Sequence, residues 1–394
     1  MGNKKSRIWL TFFLGALAAL APLSTDMYLP SLPVMTAVFG AGPSLIQLTL
    51  TMTMAGMASG QLLAGPISDQ RGRRCPLLAG MLFFAGSSLG CVFADSIGWF
   101  LGFRFVQGLS GAVGIVTARA IARDVCDGAE LTRFFALLML VNGLAPVLAP
   151  VIGGQVLLFT SWRGVFALLS AIGLILTLAT LIFRETLPPE RRIRSLTASF
   201  RSFGGLLKDR YFLGHCLLQC CFFGAFFAYI SGSSFLFQDV YGISAQAFSF
   251  LFGGIGAAIA LVGLIPARLA GRVSDVRLLV WSLVQALAGS VAFFVCCWLR
   301  APFVLTVLSL LLTIPMVSVL GAASFSLAMR TQGKNAGSAA ALIGFFSMIS
   351  GGLIAPLVGI GGSGNPMPMA VIMVTGYAAA WLFYWWMIRP QQAQ

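Results

Sequence analysis

Charge is what this chain has least of. Of 394 residues only 9% are Asp, Glu, Lys or Arg, while 58% are hydrophobic. A water-soluble protein of this length needs more charge to cover its core, so a soluble globular fold is excluded. A polytopic helical membrane protein, whose solvent is lipid, is expected instead. Histidine is nearly absent too: the one residue, His215, has no second imidazole with which to hold a metal. The eight cysteines, at 75, 91, 126, 216, 220, 221, 296 and 297, contain no C-x-x-C pair. They read as small buried hydrophobes, and neither a zinc site nor a redox dithiol is expected. A nucleophile–base set and a Walker loop are also missing, so neither catalysis nor a bound cofactor is expected.

What is present is a series of apolar runs, each of about 20 residues and separated by polar breaks. The runs predict twelve spanning helices near 8–32, 44–66, 76–94, 98–122, 131–158, 164–184, 210–237, 245–270, 277–298, 303–328, 336–361 and 367–389. The longest polar break, Glu185 to Asp209, carries Pro188, Pro189, Glu190, Arg191, Arg192 and Arg194 across the midpoint. The expected domains are a six-helix bundle over 1–184, a linker over 185–209 and a second six-helix bundle over 210–394.

The net charge of +14 forms no basic domain that would point to nucleic acid. With the amino terminus inside, 22 of the 25 basic residues fall on one face of the predicted membrane. Only Arg163 and Arg300 lie opposite, and Arg104 lies within a helix. Excess Lys and Arg mark the cytoplasmic side, so both termini and the linker are expected there. The apolar run after Met1–Arg7 is too long for a cleaved signal peptide.

Six plus six is the layout of a transporter with its substrate site between two bundles. Within the first segment, Pro22-Leu-Ser-Thr-Asp-Met-Tyr-Leu-Pro30 puts a carboxylate, Asp26, where hydrocarbon makes it costly by about 2.5 kcal/mol or more. It lies 18 residues from Ile8, or about 27 Å along a helix, in the outer half of the membrane. Arg104 enters from the outer face on an opposite-running helix, at comparable depth. An ion pair is the cheapest way to keep both there, either as a static bridge or as a proton-coupling pair in which Asp26 binds and releases a proton. On the seventh segment Phe222, Phe226 and Tyr229 share a helical face with Gln219 nearby, an aromatic surface suited to bulky apolar substrates.

The break between the second and third segments reads Gly65-Pro-Ile-Ser-Asp69-Gln70-Arg71-Gly72-Arg73-Arg74. It resembles the signature loop of the major facilitator superfamily, with Gln70 where a basic residue is usual. Arg104-Phe-Val-Gln107-Gly108 is similar to that family's helix 4 motif. Gly143-Leu-Ala-Pro146-Val-Leu-Ala-Pro150-Val-Ile-Gly153-Gly154 resembles the helix 5 motif of drug/proton antiporters, with Ala149 where glycine is usual. Ser161-Trp162-Arg163 and Glu185-Thr186-Leu187-Pro188 also match that family. With Asp26-Met-Tyr-Leu-Pro30 the set looks like the bicyclomycin/chloramphenicol-resistance (Bcr/CflA) branch.

The resemblance implies a monomeric, proton-driven drug exporter of a bacterial inner membrane that works by alternating access, with small molecules, protons and lipid as its partners. It implies that Asp26 and Arg104 couple protons, and that Tyr28, Gln107, Asn142, Gln219, Phe222, Phe226 and Tyr229 line the cavity. It implies gating or motif roles for Gly65, Asp69, Gly72, Arg73, Arg74, Asp124, Gly143, Pro146, Pro150, Gly153 and Gly154. Export of a metabolite such as an amino acid or sugar, or a non-transporting sensor, are the alternatives.

Overall fold

The computed structural model describes residues 4–126, 128–192, 204–269, 271–332 and 336–392, and its regular structure is helical. The helices are α1 (Lys4–Asp26), α2 (Leu32–Phe39), α3 (Pro43–Arg71), α4 (Arg74–Val92), α5 (Ile97–Val125), α6 (Gly128–Phe159) and α7 (Trp162–Ile182). They continue as α8 (Arg210–Phe235), α9 (Ala245–Val262), α10 (Ile265–Leu269), α11 (Asp275–Trp298), α12 (Phe303–Thr313), α13 (Met316–Met329), α14 (Ala336–Val358), α15 (Met367–Phe383) and α16 (Arg389–Gln392). Their ends follow the polar breaks. Ser96, Ser161, Ser244 and Ser274 cap α5, α7, α9 and α11 by accepting backbone N–H bonds, and the Asp209 carboxylate accepts two at α8.

Ten helical segments among the described residues are long and apolar enough to cross a membrane. Several join neighbouring elements, as Trp9–Phe39 joins α1 and α2, and Phe303–Met329 joins α12 and α13. The two remaining expected spans are helical as well, but differ from the ten for separate reasons. Helix α3, 29 residues long, carries Gln47, Thr49, Thr51, Thr53, Ser59 and Gln61, which dilute its hydropathy. In α6, 32 residues long, only Gly143–Phe159 stands out as an apolar stretch, and most side chains between 129 and 142 lie outside those described.

The chain forms two compact units, one of residues 1–30 and 52–197, the other of 31–51 and 198–394. Residues 31–51 group with the second unit. Helix α3 therefore changes unit at Thr51.

In the first unit α4 packs on α5 and α7, and α1 packs on α5 and α6. Helices α3 and α5 meet backbone to backbone: a Cβ on Gly56 would overlap the Phe105 carbonyl, and one on Gly108 the Thr53 carbonyl. Such close approach is the usual use of small residues in membrane helices.

In the second unit α8 is central and packs on α14, α15 and α13, while α11 packs on α12, α13 and α15. His215 of α8 is fully buried, with Nδ1 3.0 Å from Ser324 Oγ and its ring edge-on to Tyr211. The start of α3 also packs here. Ser44 donates to the Pro356 carbonyl at 2.6 Å, Gln47 to the Ser231 carbonyl at 3.0 Å, and Thr51 to the Gly352 carbonyl at 2.6 Å. The Gly352 carbonyl has no helical partner, because the residue four positions on is Pro356, which lacks an N–H. Thr51 supplies the missing donor.

Candidate functional site

Helix α1 ends at Asp26, and the chain turns through Met27 and Tyr28 into a short 3-10 segment, Leu29–Ser31. That turn is set by the next contact: a Cβ on Gly153 of α6 would overlap the Met27 carbonyl, so only glycine lets α6 approach. Asp26 is 6% exposed and Arg104 of α5 is fully buried. The expected ion pair is not closed among the described residues. Instead Arg104 Nη1 donates to the Ser24 carbonyl at 2.8 Å and to Gln107 Oε1. Gln107 in turn donates to Ser88 Oγ at 2.7 Å, and Ser88 to the Phe84 carbonyl at 2.7 Å.

The Nε and Nη2 of Arg104 have no hydrogen-bond partner among the described residues. The cation is held instead by rings. Its Cζ stands 4.3 Å from the Tyr28 centroid and 5.4 Å from that of Phe166. Tyr28 and Phe166 are themselves in contact at 5.6 Å, and Phe166 meets Phe100 and Trp162 edge-on at 5.2 and 6.0 Å. A desolvated cation over an aromatic face gains about 2 kcal/mol, which offsets part of the cost of its burial. Asp26, Arg104 and Gln107 stand out in the sequence, and Phe166 closes the matched run that starts at Ser161-Trp162-Arg163, whereas no sequence signal marks Ser24 or Ser88.

The second charged cluster lies at the α3–α4 turn. Gly72 has φ +91°, a left-handed geometry that favours glycine, and a Cβ there would meet the Glu185 carboxylate. The Arg73 guanidinium, nearly withdrawn from solvent, is fully engaged. Nε donates to Asp124 at 2.8 Å, and Nη1 donates to Ser68 at 2.9 Å and to Asp69. Burial works against the charge, but the hydrogen bonds and charges of Asp124 and Asp69 outweigh it and raise the Arg73 pKa further.

Glu185, at the end of α7, accepts from the backbone N–H groups of Arg73 at 2.8 Å and Arg74 at 3.1 Å, and from those of Thr186 and Leu187. Burial pushes its pKa up, but these four donors pull harder and hold it below the ordinary value of 4.5. Thr186 ties in Asp124 at 3.2 Å, and Arg74 donates to the Leu181 carbonyl at 2.5 Å. Thus Asp69, Gly72, Arg73, Arg74 and Asp124 come together with Glu185 and Thr186 of the matched Glu185–Pro188 run, and the structure adds Ser68. The Gly65 carbonyl accepts from Ser68 at 3.0 Å, and a Cβ there would make only an ordinary contact with Val116, while a Cβ on Gly143 would meet nothing. Helix α6 runs unbroken through Pro146 and Pro150, and Gly154 is buried.

On α8, Gln219 is 3% exposed and accepts from Ser347 at 3.4 Å. Phe222 is fully buried, and Phe226 stacks on Tyr229 at 6.4 Å. Tyr229 stacks in turn on Phe252 of α9 at 5.3 Å. These residues form an aromatic seam inside the second unit, while Tyr28 and Gln107 belong to the Arg104 surroundings. The Asn142 side chain lies outside those described.

The Major Facilitator Superfamily family model matches residues 14–356. The chain belongs to that superfamily. It is a multi-pass membrane protein, and family and fold point to transport rather than catalysis. The chain is 41% identical over 385 residues, 96% of each chain, to the uncharacterized MFS-type transporter YdgK of Bacillus subtilis. It is 35% identical over 254 residues, 64% of each chain, to a bicyclomycin resistance protein homolog of Haemophilus influenzae. The solved D-xylose-proton symporter has the same fold, with a TM-score of 0.79 at 14% identity over 97% of this chain and 98% of that one.

Proposed function

We propose that this transporter is a proton-coupled antiporter that exports small amphipathic compounds, antibiotics among them, across a bacterial inner membrane by alternating access. Its twelve spans would form two six-helix bundles with cytoplasmic termini. The observation that carries the reading is the incomplete bonding of Arg104 beside a buried carboxylate. A neutral, protonated Asp26 leaves Arg104 to Ser24, Gln107 and the Tyr28 ring. An ionised Asp26 attracts the unused Nε and Nη2, two residues along α1 from the carbonyl that Arg104 already holds. Gain and loss of one proton thus switch a pairing that ties α1 to α5. A mobile charge pair inside the membrane is the usual mark of a proton relay.

The sequence similarity to a bicyclomycin-resistance homolog, partial in length, supports a drug-like substrate. The aromatic seam Phe222, Phe226 and Tyr229 suits the same chemistry.

The test is substrate-induced proton release from the purified, detergent-solubilised protein across a panel of antibiotics, sugars and amino acids, wild type beside Asp26→Asn. Release by wild type alone, on amphipathic antibiotics, supports the reading. Release by Asp26→Asn removes Asp26 from the mechanism, and release confined to sugars or amino acids moves the substrate to a metabolite.

A further inference from the structure

We propose that the carboxyl-terminal end of the last spanning helix binds an anionic phospholipid of the cytoplasmic leaflet. This rests on the membrane orientation argued above, but on none of the coupling chemistry.

Ala379, Leu382, Phe383 and Trp386 follow one another at helical spacing along one face. With Trp385 they line an apolar groove of about 570 Å³ that is open along its side. Leu382, Trp385 and Trp386 are well exposed, so no described residue fills the groove. From Ala379 to Arg389 is about 15 Å of helix, which matches a length of acyl chain.

The basic end of the groove is built rather than random. The Arg389 guanidinium lies 3.7 Å from the Trp385 ring centroid. Trp381, Tyr384 and Trp385 pack against one another at 5.8 to 6.5 Å and hold that ring in place. Arg210, at the start of α8, lies 5.8 Å from the Trp386 ring and donates to the Trp386 carbonyl at 3.3 Å. The backbone from Tyr384 to Ile388 is a π-helical turn, which shifts the register where both arginines gather.

An acyl chain fits the groove, and a phosphate at its end would meet two exposed guanidinium groups that no described carboxylate neutralises. Tryptophan and arginine at this depth match the headgroup region of a bilayer. A zwitterionic lipid would fill the groove equally well but would gain less from the two cations.

Tryptophan fluorescence reports the occupant directly. The full-length protein is reconstituted in phosphatidylcholine vesicles holding an equal small fraction of brominated phosphatidylglycerol or brominated phosphatidylcholine. The phosphatidylglycerol lipid should quench more strongly. Arg389→Gln or Arg210→Gln should each cut its apparent preference by about fivefold, the worth of one basic residue near a charged surface. Arg389→Lys should retain most of the preference, and Trp385→Phe with Trp386→Phe should remove the excess quenching alone. Equal quenching by the two lipids, or an excess untouched by both glutamine variants, overturns the proposal. So does an excess that vanishes as protein density in the vesicle rises, which would mean that a second copy covers the groove.

Discussion

Arg73 and Arg104 belong to the same unit, and both are almost wholly withdrawn from solvent, yet their partners differ in kind. Arg73 has two carboxylates and a hydroxyl, and the loop around it is pinned by Glu185. Arg104 has one carbonyl, one amide oxygen and two aromatic rings, with two nitrogens unused. A buried charge with a complete partner set is stable in one arrangement. A buried charge with an incomplete set, beside a carboxylate to which no described salt bridge joins it, has a second arrangement available. The first is suited to a latch and the second to a coupling step.

The largest expected effect concerns the packing of α6 against the turn beside Asp26. Gly153→Ala puts a methyl group into the Met27 carbonyl and should cost about 4 kcal/mol or more, the range of severe core disruption. It should appear as loss of the monodisperse species on size exclusion. Gly143→Ala, ten residues earlier on the same helix, adds a methyl group that meets nothing and should change neither elution nor melting temperature.

Next comes the pair of arginines. Arg73→Met leaves two carboxylates and a hydroxyl without their donor and should lower stability by about 1–3 kcal/mol. Arg104→Met removes a membrane-buried charge and should lower it less, while abolishing substrate-induced proton release. Arg73→Met should retain some release. A larger loss of melting temperature in Arg104→Met than in Arg73→Met would break the comparison.

Acid gives a smaller effect with a defined sign. The folded state holds the Glu185 pKa below its ordinary value of 4.5. Its contribution is therefore complete above that value and is lost as pH falls through the lowered one. Melting temperature followed against pH should drop on that acid side in wild type and drop less in Glu185→Gln. The smallest effect should be Thr51→Val, which removes the described donor to the carbonyl that Pro356 orphans and should cost about 1 kcal/mol in thermal stability.

Much of this was legible in the residues. Helix positions follow from apolar runs and polar breaks, because a bilayer imposes a length on every span. Asp26 and Arg104 stand out because charge in hydrocarbon is rare. Three features were not legible. Helix α3 was expected over 44–66, but not that Gln47 and Thr51 bond carbonyls of the unit its first turns join. Pairing Asp26 with Arg104 looked the cheapest arrangement from charge alone, whereas Tyr28 and Phe166 stack on the guanidinium through contacts no spacing rule exposes. Glu185 matched a family position, but its grip on the α3–α4 turn, more than 110 residues away in sequence, is a property of the folded chain.

The central claim is that the proton on Asp26 decides whether Arg104 is paired with it. Infrared difference spectroscopy on the purified protein, with and without an exported compound, reads that proton as the carbonyl stretch of a protonated carboxyl group. The account predicts such a band in the substrate-free wild type, its loss on adding substrate, and no corresponding change in Asp26→Asn. The same band change in Asp26→Asn, or its absence from wild type when substrate binds, would contradict the account.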